Sequence, residues 1–590
     1  MHIAPIIREV CKMKKTVTLL LAAALLFGMT FAASAGDEEP VVLTMAFTGS
    51  APPEVWKESN ELKMLEEELN IRLDYTYYDD DKFALLLAGG DIPDIVMPRQ
   101  KHLTTIIDNG LALNLDPLLS TYAPNLAGEA FQASNELSRQ MLGGEKQELY
   151  FLAVGLGMES EMVSETTSRG YTVRWDLYKE LGCPPINSDD DYIEVIRKMV
   201  ELYPETEDGR KVYGMGLYDD LSAWYTRGAW IRDGGALCIW TISNYQYMAA
   251  LEDTTLVNGY MNTDRSAFWT DMKFYNKLYK AGLLDPDSFI MTIDEWNAKI
   301  AGGEYVAAIY ANGAMYNENR KTDPNTLAGL IVVPSENAVV GSRKLQVCGG
   351  MPTDTIFISK NSQNAEAALK ALNFFADDSV VRMTYCGIQG KDWDYDENGV
   401  PYITEQALKD RDTYGFGSDE YVKATGICGQ LYNFTFFQGT ALAEDGYVYN
   451  LAQMPDERVR TLDPMRRDMA ETYGVSRPSE ALMNLVYEGK TIDNLNDYAQ
   501  LVALSITDLP LDIQRIMNNL NDILYNAVPS LVMAESQEEF DAIQAQVLAD
   551  LENANEATAW EWYSTRFDAA KEAVTPAYQE ALERYQSLAK

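Results

Sequence analysis

Residues 41–97 read VVLTMAFTGSAPPEVWKESNELKMLEEELNIRLDYTYYDDDKFALLLAGGDIPDIVM, and this stretch decides the fold class. Its first seven residues are typical of a buried strand, and an amphipathic helix with leucines at helical spacing follows. The pattern alternates between polar and apolar residues over 71–77, turns helical again, and ends in the apolar triplet 95–97. Strand, helix, strand, helix and strand at this spacing predict a parallel α/β unit.

Similar units recur further along the chain. The acidic run 189–191 is expected to cap a helix with an apolar face, and another helix is expected to begin after Asn364. Beyond residue 465 the strand signals fade, and a last helix is predicted to begin at Thr575-Pro576. Short buried strands are predicted at 212–217, 305–310, 330–333 and 355–359.

The N-terminal residues are typical of a secretory signal peptide. From Met13 the chain has a basic pair at 14–15, an apolar run over 18–27 and small residues at 33–35 that favour cleavage. The apolar run is too short for a permanent membrane span, and the competing interpretation is an N-terminal core helix. Because residues 1–12 precede a complete signal, we expect translation to start at Met13.

No cysteine closes the apolar run, so the lipid-attachment pattern of many surface lipoproteins is missing. We therefore expect a secreted or cell-surface protein, periplasmic if the source is diderm. The five later cysteines are odd in number and lack CxxC or zinc-like spacing, which favours buried thiols over a disulfide framework. They are Cys183, Cys238, Cys348, Cys386 and Cys428.

Composition and net charge indicate which classes of binding partner are expected. The 590 residues are 47% hydrophobic and 11% aromatic, as in folded globular proteins with room for more than one core. Lys and Arg number 48 against 89 Asp and Glu, a formal net charge of −41. Such a charge repels phosphate backbones and anionic lipids, so no nucleic-acid or membrane-surface partner is expected.

Several enzyme classes are disfavoured by their missing motifs. The chain has no GxSxG, HExxH or Walker loop, and His102 is its one imidazole after the signal peptide. Serine hydrolase, zinc protease and nucleotide hydrolase are therefore not expected. Glycosidases need only two carboxylates about 5–10 Å apart, so a secreted carbohydrate-active enzyme stays open as an alternative.

An acidic stretch at 392–403 could suggest a calcium loop. It places carboxylates at positions 1, 3 and 5 of an EF-hand pattern, but Glu397 replaces the glycine of position 6 and Ile403 the glutamate of position 12. The pair Asn398-Gly399 between alternating residues instead favours a β-hairpin. We expect no metal and no cofactor.

Three segments carry a family resemblance. They are LLLAGGDIPDIVM (85–97), VRWDLYKELGCPPINSDDDYIEVIRKM (173–199) and GIQGKDWDYDENGVPYIT (387–404), in this order after the signal peptide. They resemble segments of the extracellular solute-binding proteins that deliver ligands to ABC importers, specifically the large family-1 type associated with sugars. Two features depart from that pattern: the lipobox is absent, and Asp190 stands where the family has a tryptophan.

The resemblance implies an α/β fold of two lobes hinged around a cleft, like the periplasmic binding proteins, with a helix-rich C-terminal region. It further implies a binding protein, not an enzyme, that captures a small ligand, an oligosaccharide, and delivers it as a monomer to an ABC transporter permease. A peptide or another solute is the alternative ligand. The implied segments are 1–35 signal peptide, 36–155 first part of the N-terminal lobe, 156–330 first part of the C-terminal lobe, 331–465 crossing segments and 466–590 helix-rich region.

Ligand contacts are expected where predicted strands end, because loops at the carboxyl ends of strands offer unused hydrogen-bonding groups. Sugars also need aromatic faces, and the chain has 35 Tyr and 10 Trp. The candidates are Gly49, Ser50, Arg99, Trp224, Trp230, Tyr310, Asn312 and Trp393. One of the two tryptophans at 224 and 230 is expected to be a sugar platform, the alternative being a core aromatic. Asp91 and Asp94 are expected to be structural.

Overall fold

The computed structural model of the chain describes residues 39–48, 53–99, 102–156, 169–231, 246–250, 255–340, 355–429, 435–492, 502, 506 and 509–588. The strands in these ranges are β1 (Val41–Thr48), β2 (Ile71–Tyr78), β3 (Ile95–Met97), β4 (Leu152–Ala153), β5 (Thr172–Arg174), β6 (Tyr247–Ala249), β7 (Leu256–Asn258), β8 (Leu330–Val332), β9 (Thr355–Ile358), β10 (Trp393–Tyr395) and β11 (Pro401–Ile403).

The helices up to the last strand pair are α1 (Asn60–Leu69), α2 (Asp80–Gly89), α3 (Leu103–Asp108), α4 (Asp116–Tyr122), α5 (Glu129–Leu142), α6 (Trp175–Glu180), α7 (Asp189–Leu202), α8 (Ala267–Lys280), α9 (Ile293–Ala301), α10 (Ala314–Thr322), α11 (Ala365–Phe375) and α12 (Asp378–Cys386). Those that follow are α13 (Glu405–Tyr414), α14 (Asp419–Thr425), α15 (Pro455–Arg460), α16 (Pro464–Tyr473), α17 (Pro478–Tyr487), α18 (Leu511–Met533), α19 (Gln537–Asn553) and α20 (Glu556–Leu588).

The first lobe, residues 39–156 and 355–460, is built on a five-stranded sheet with the order β2-β1-β3-β9-β4. β1 pairs in parallel with β2 and with β3, in the registers Val41↔Ile71 and Met45↔Ile95. β9 is antiparallel to both of its neighbours. Because parallel neighbours need a crossover, α1 and α2 connect the first three strands. The predicted parallel α/β unit is confirmed.

Local capping explains where the two crossover helices begin and end. The Ser59 hydroxyl accepts the Leu62 N–H at the start of α1, and the Asp79 carboxylate accepts the Lys82 N–H at the start of α2. α2 ends at Gly90 with φ +72°, a left-handed conformation that costs glycine little. Asp94 accepts the N–H and the hydroxyl of Thr44, both at 2.9 Å, so its predicted structural role is confirmed.

The second lobe is residues 169–340. Its β5 and β8 are antiparallel, and β6 pairs with β7 in the same sense. The chain crosses from the first lobe to the second between β4 and β5, and returns between β8 and β9. A large buried cluster rich in Trp and Tyr fills most of this lobe and continues into the C-terminal helices, and a smaller one joins Val332 and Val340 to Leu482 and Met483.

The C-terminal helices pack against the second lobe. The Trp175 indole N–H donates to Asp468 of α16 at 2.8 Å. The Asn276 amide of α8 donates to the Ala534 carbonyl at 2.8 Å, just past the end of α18. Burying that amide with accepted hydrogen bonds avoids the cost of an unpaired polar group.

Two helix starts differ from the prediction. The predicted start at Thr575-Pro576 is wrong, because both residues lie inside α20, where the Thr575 hydroxyl donates to the Lys571 carbonyl. The cap of α7 is the Ser188 hydroxyl, which accepts the Asp191 N–H, and not the acidic run itself. Asp189 is thereby released for an ion pair described below.

The acidic stretch at 392–403 forms the predicted hairpin. β10 and β11 pair from Trp393↔Ile403 to Tyr395↔Pro401. The Asp396 carboxylate accepts the N–H groups of Asn398 and Val400, both at 2.8 Å, so it serves the turn. Gly399 has φ +81°, which suits the last residue of a three-residue hairpin loop.

The cysteines are free wherever the structure describes them. Cys386 is buried, and Cys183 and Cys428 are half-buried. Cys238 and Cys348 lie outside the described residues.

Candidate functional site

One edge of the second lobe collects the carboxyl ends of neighbouring extended segments. Tyr213 bridges Tyr305 in parallel, so residues 212–217 and 305–309 end at the same side. β5 runs the other way beside them, since the Arg174 N–H donates to the Val306 carbonyl at 2.8 Å and the Ala308 N–H to the Thr172 hydroxyl at 2.9 Å. Residues just before β5 and just after the two segments therefore lie together.

Aromatic side chains occupy this edge. The ring of the fully buried Trp296 lies 5.3 Å from that of Tyr218 and 5.2 Å from that of Tyr310, at 62° and 60°. The Trp296 indole N–H donates to the Gly216 carbonyl at 2.7 Å, which fixes the ring. Tyr218 and Tyr310 are half-buried and so retain exposed surface.

A tryptophan and an arginine extend the same group. The Arg169 guanidinium lies 5.8 Å from the centre of the Trp230 ring, within the range of a cation–π contact. Trp230 ends a short 3-10 turn and is 8% exposed. Its backbone carbonyl accepts the Val339 N–H at 2.9 Å, which anchors the turn to the segment after β8. The edge cluster comprises Arg169, Tyr218, Tyr225, Trp230, Trp296 and Tyr310.

The electrostatics of the edge cluster are set by burial. Burial raises the pKa of Tyr310 to about 12, and it also raises the pKa values of Tyr218 and Tyr225. Burial lowers the pKa of Arg169, while the three tyrosines oppose that change. At neutral pH the tyrosines are neutral hydroxyls and the guanidinium remains charged. The cluster therefore offers apolar ring surface together with hydrogen-bonding groups.

The structure brings together two of the residues predicted from sequence, Trp230 and Tyr310, through their shared neighbour Arg169. Trp224 lies elsewhere: it is 1% exposed, stacks on Phe289 with ring centres 5.2 Å apart, and belongs to the core. Trp230 is also buried in the same core cluster, at 8% exposed, so a role for either tryptophan as a sugar platform stays a prediction.

Asn312 lies near the edge cluster with both ends of its amide engaged. Its nitrogen donates to Asn297 at 2.9 Å, and its oxygen accepts the Ala314 N–H at 2.8 Å at the start of α10. The arrangement positions the corner after the 305–309 segment, and a ligand contact by Asn312 stays a prediction.

Two of the remaining predicted residues, Arg99 and Trp393, belong to the first lobe. Arg99 is exposed beyond the carboxyl end of β3. Trp393 is 6% exposed in the hairpin, where its indole N–H donates to the Gly387 carbonyl at 3.1 Å and Arg382 lies over its ring. Gly49 and Ser50 lie outside the described residues. The roles of these four in binding stay predictions.

The sequence reasoning missed four members of the edge cluster, Arg169, Tyr218, Tyr225 and Trp296. A signal was present for two of them. Tyr218 directly follows the 212–217 segment, as Tyr310 follows its own, and Arg169 lies two residues before the Tyr171–Arg174 region. Trp296 lies on α9, whose apolar face gives no hint that it supports a site.

Two further features are absent from the described ranges. No group of three or more His, Cys, Asp or Glu side chains is arranged there to hold a metal ion. No helix in the same ranges combines the length and apolarity needed to cross a membrane.

Comparison with known proteins identifies the family. Residues 46–381, more than half of the chain, match the model of the bacterial extracellular solute-binding proteins. The chain belongs to this family. Solute-binding proteins of this kind bind small-molecule ligands and work with ABC transporters. Their periplasmic-binding-protein-like fold agrees with the two α/β lobes described above, and the expected family and fold class are confirmed.

Individual relatives are distant in sequence. This solute-binding protein is 22% identical over 401 residues to Lipoprotein LipO of Bacillus subtilis (strain 168), a match that covers 65% of this chain and 74% of that protein. Among solved structures it resembles an HMO binding ABC-transporter associated solute binding protein from Bifidobacterium longum infantis, with TM-score 0.60, 13% identity and coverage of 91% and 100% of the two chains. It also resembles the S. pneumoniae substrate binding protein FusA in complex with kestose, with TM-score 0.58, 16% identity and coverage of 90% and 99%.

Proposed function

We propose that this solute-binding protein captures an oligosaccharide between its two lobes and delivers it to an ABC importer. The observation that carries the proposal is the edge cluster, in which Trp230, Tyr218 and Tyr310 place ring surface beside hydrogen-bonding groups at the carboxyl edge of the second lobe. Aromatic faces suit the C–H side of a pyranose, and polar groups take its hydroxyls, because each buried unpaired hydroxyl costs roughly 1–3 kcal/mol.

The topology supports a site shared by both lobes. β4 ends at Ala153 opposite Thr355, where β9 begins, and both residues lie at the edge where β1 and β3 end. The crossings therefore connect this edge to the edge cluster of the second lobe. Arg99 follows β3, which ends at the first of these edges. We assign it to the opposing wall of the site, and ligand contacts of Gly49 and Ser50, which lie outside the described residues, stay predictions.

Closure is the proposed mechanism. A ligand that contacts both walls stabilises the closed arrangement of the lobes by its differential affinity for that arrangement. The importer then distinguishes the closed, loaded protein from the open one. Two of the structural neighbours bind HMO and kestose, which makes oligosaccharides the first class to test.

The first experiment measures the melting temperature of the purified chain against panels of oligosaccharides, peptides and amino acids. A ligand at 100 times its Kd adds about 2.7 kcal/mol to the free energy of unfolding, so a binder raises the melting temperature. A rise with one glycan class supports the proposal. A rise with peptides alone would replace oligosaccharide by peptide, and no rise with any sugar would contradict the proposed ligand.

Trp230→Ala tests whether the edge cluster is the site. We expect the Kd for the identified glycan to rise at least about tenfold, because the ring surface is lost. The matched control is Trp562→Ala on α20, where Arg566 lies 5.3 Å from the Trp562 ring centre in a comparable pair remote in sequence. Unchanged affinity of a folded Trp230→Ala protein, verified by circular dichroism, would remove the edge cluster from the proposal.

The proposal includes three narrower statements. The protein acts outside the cytoplasmic membrane, it works as a monomer, and it releases its ligand chemically intact. Size-exclusion chromatography with light scattering tests the second. Recovery of the intact oligosaccharide after long incubation tests the third, and cleavage products would favour a carbohydrate-active enzyme instead.

A further inference from the structure

The edge cluster contains a cation without an internal counter-ion. Within the part of the chain that the structure describes, Arg169 forms no ion pair and no hydrogen bond, and its one recorded contact of this kind is with the Trp230 ring. The titratable groups that influence it are the hydroxyls of Tyr310, Tyr218 and Tyr225. All three are neutral at physiological pH, so they do not balance its charge.

Other arginines withdrawn from solvent are handled differently in this protein. Arg227, Arg382 and Arg174 have side chains 0%, 3% and 9% exposed, and each pairs with a carboxylate. The cost of removing a charge from water explains this rule. With 89 acidic residues in the chain, carboxylates are abundant. Arg169 has no such carboxylate among the described residues, and neither do the half-buried Arg265 and Arg411. What distinguishes Arg169 is its position against the Trp230 ring in the edge cluster.

The acidic side chains closest in sequence to Tyr218 are already engaged. The Asp219 carboxylate accepts the Tyr525 hydroxyl of α18. The Asp220 carboxylate accepts the Ser222 N–H at 2.8 Å and caps the 3-10 turn Leu221–Trp224. Neither pairs with Arg169. Both carboxylates therefore serve contacts within the chain.

A second donor of the edge cluster is also unused. The Trp230 indole nitrogen is buried and has no hydrogen-bond acceptor among the described residues. A buried donor without an acceptor is costly, and such groups in native proteins are commonly completed by a bound species. The cluster thus has an excess of donors and of positive charge over acceptors.

We propose that the ligand of this site carries an anionic substituent, a carboxylate or a sulfate, and that Arg169 binds it beside the Trp230 ring. The inference rests on the proposed function and narrows its substrate class to acidic oligosaccharides. Arginine suits both groups because its planar fork donates two parallel hydrogen bonds to paired oxygens. The net charge of −41 repels anions at long range, so selection of an anion must come from this local contact.

The test compares glycans that differ only in charge. Calorimetry measures the Kd of the wild-type chain for oligogalacturonides and their full methyl esters, and for sulfated galactan oligosaccharides and their desulfated, neutral forms. The same titrations are made with Arg169→Met, Arg169→Lys and Trp230→Ala. Circular dichroism and the melting temperature establish that each variant is folded.

We expect the anionic member of at least one pair to bind wild type at least tenfold more tightly than its neutral partner. Arg169→Met should remove that preference, and Arg169→Lys should keep part of it. Trp230→Ala should weaken both members of the pair alike. The pair that shows the preference identifies carboxylate or sulfate as the recognised group.

Two results overturn the inference, and they differ from each other. Binding of neutral and anionic partners with equal Kd, unaffected by Arg169→Met, refutes the anionic ligand and leaves the proposed function intact. Binding of no glycan by the wild-type chain refutes both. A preference that disappears in 0.5 M NaCl would also contradict the inference, because a half-buried contact is screened far less than a surface attraction.

Discussion

Two regions of the second lobe each place an arginine against an aromatic ring, and they differ in what surrounds the charge. The Arg227 guanidinium lies 3.7 Å from the Phe274 ring centre, and the Arg169 guanidinium lies 5.8 Å from the Trp230 ring centre. Arg227 is fully buried between two carboxylates. Arg169 is half-buried at the edge cluster without one. Carboxylates of the chain balance the charge of Arg227. We assign the balancing of the Arg169 charge to a ligand.

The Arg227 region is a closed network. Asp189 accepts two hydrogen bonds from the guanidinium, at 2.8 and 3.0 Å, and Asp271 lies 3.0 Å from its Nε. The other oxygen of Asp271 accepts the Gly228 N–H at 2.8 Å. Gly228 begins the turn that ends at Trp230. The network around Arg227 therefore supports the backbone of the turn that carries Trp230, a member of the edge cluster.

Arg227→Met should cause the largest loss in the free energy of unfolding. The methionine can keep the apolar contact with Phe274, but Asp189 and Asp271 lose their cation. Breaking a buried pair by removing one partner costs about 3–5 kcal/mol, and we expect a loss of that size in the free energy of unfolding, measured by urea denaturation at pH 7. A loss below about 1 kcal/mol would show that the network is not a structural support. Arg227→Lys should recover only part of the stability, because lysine lacks the bidentate fork.

Asp271→Asn should change how stability depends on pH. Burial raises the pKa of Asp271 to about 7, against an ordinary value of 3.8, although Arg227 opposes the shift. Between about pH 4 and 7 the unfolded chain is ionised at this residue while the folded chain keeps the proton. The unfolded state therefore binds fewer protons, and this group makes stability fall as pH rises through that window, by up to about 4 kcal/mol.

The asparagine variant has no such titration. Its free energy of unfolding, relative to that of wild type, should increase by about 3 kcal/mol from pH 5 to pH 8. Urea denaturation at both pH values measures this difference. The control is Asp190→Asn, which removes an exposed carboxylate paired with Lys277 at the surface. A constant difference between the Asp271 variant and wild type at both pH values would contradict the prediction.

The strands of the first lobe could be predicted from the sequence because their apolar and polar residues follow the pattern of burial. In β2 the buried residues alternate with exposed ones, and parallel pairing with β1 leaves one face to the core. The strand predicted at 212–217 illustrates the limit. It is extended but joins its neighbours only by single bridges, Tyr213↔Tyr305 and Met215↔Leu284, so its edge residues gain no regular pattern.

The site was harder to predict for a geometric reason. Trp224 and Trp230 lie six residues apart in one segment, and each ends a short 3-10 turn. Such turns have no long periodicity, so the sequence does not indicate that the first ring stacks on Phe289 and the second lies beside Arg169. Arg169 was missed because its significance is the lack of a carboxylate partner, and that depends on which acids the fold brings near it.

Arg169→Met should have the smallest effect on stability of these variants. The substitution matches Arg227→Met in kind and lobe, but here it leaves no carboxylate without a cation and removes a charge that burial disfavours. We expect the free energy of unfolding of the unliganded protein to change by less than about 1 kcal/mol in the same urea assay. A loss as large as that of Arg227→Met would mean that Arg169 has a structural counter-ion after all, and the two arginines would then have the same role.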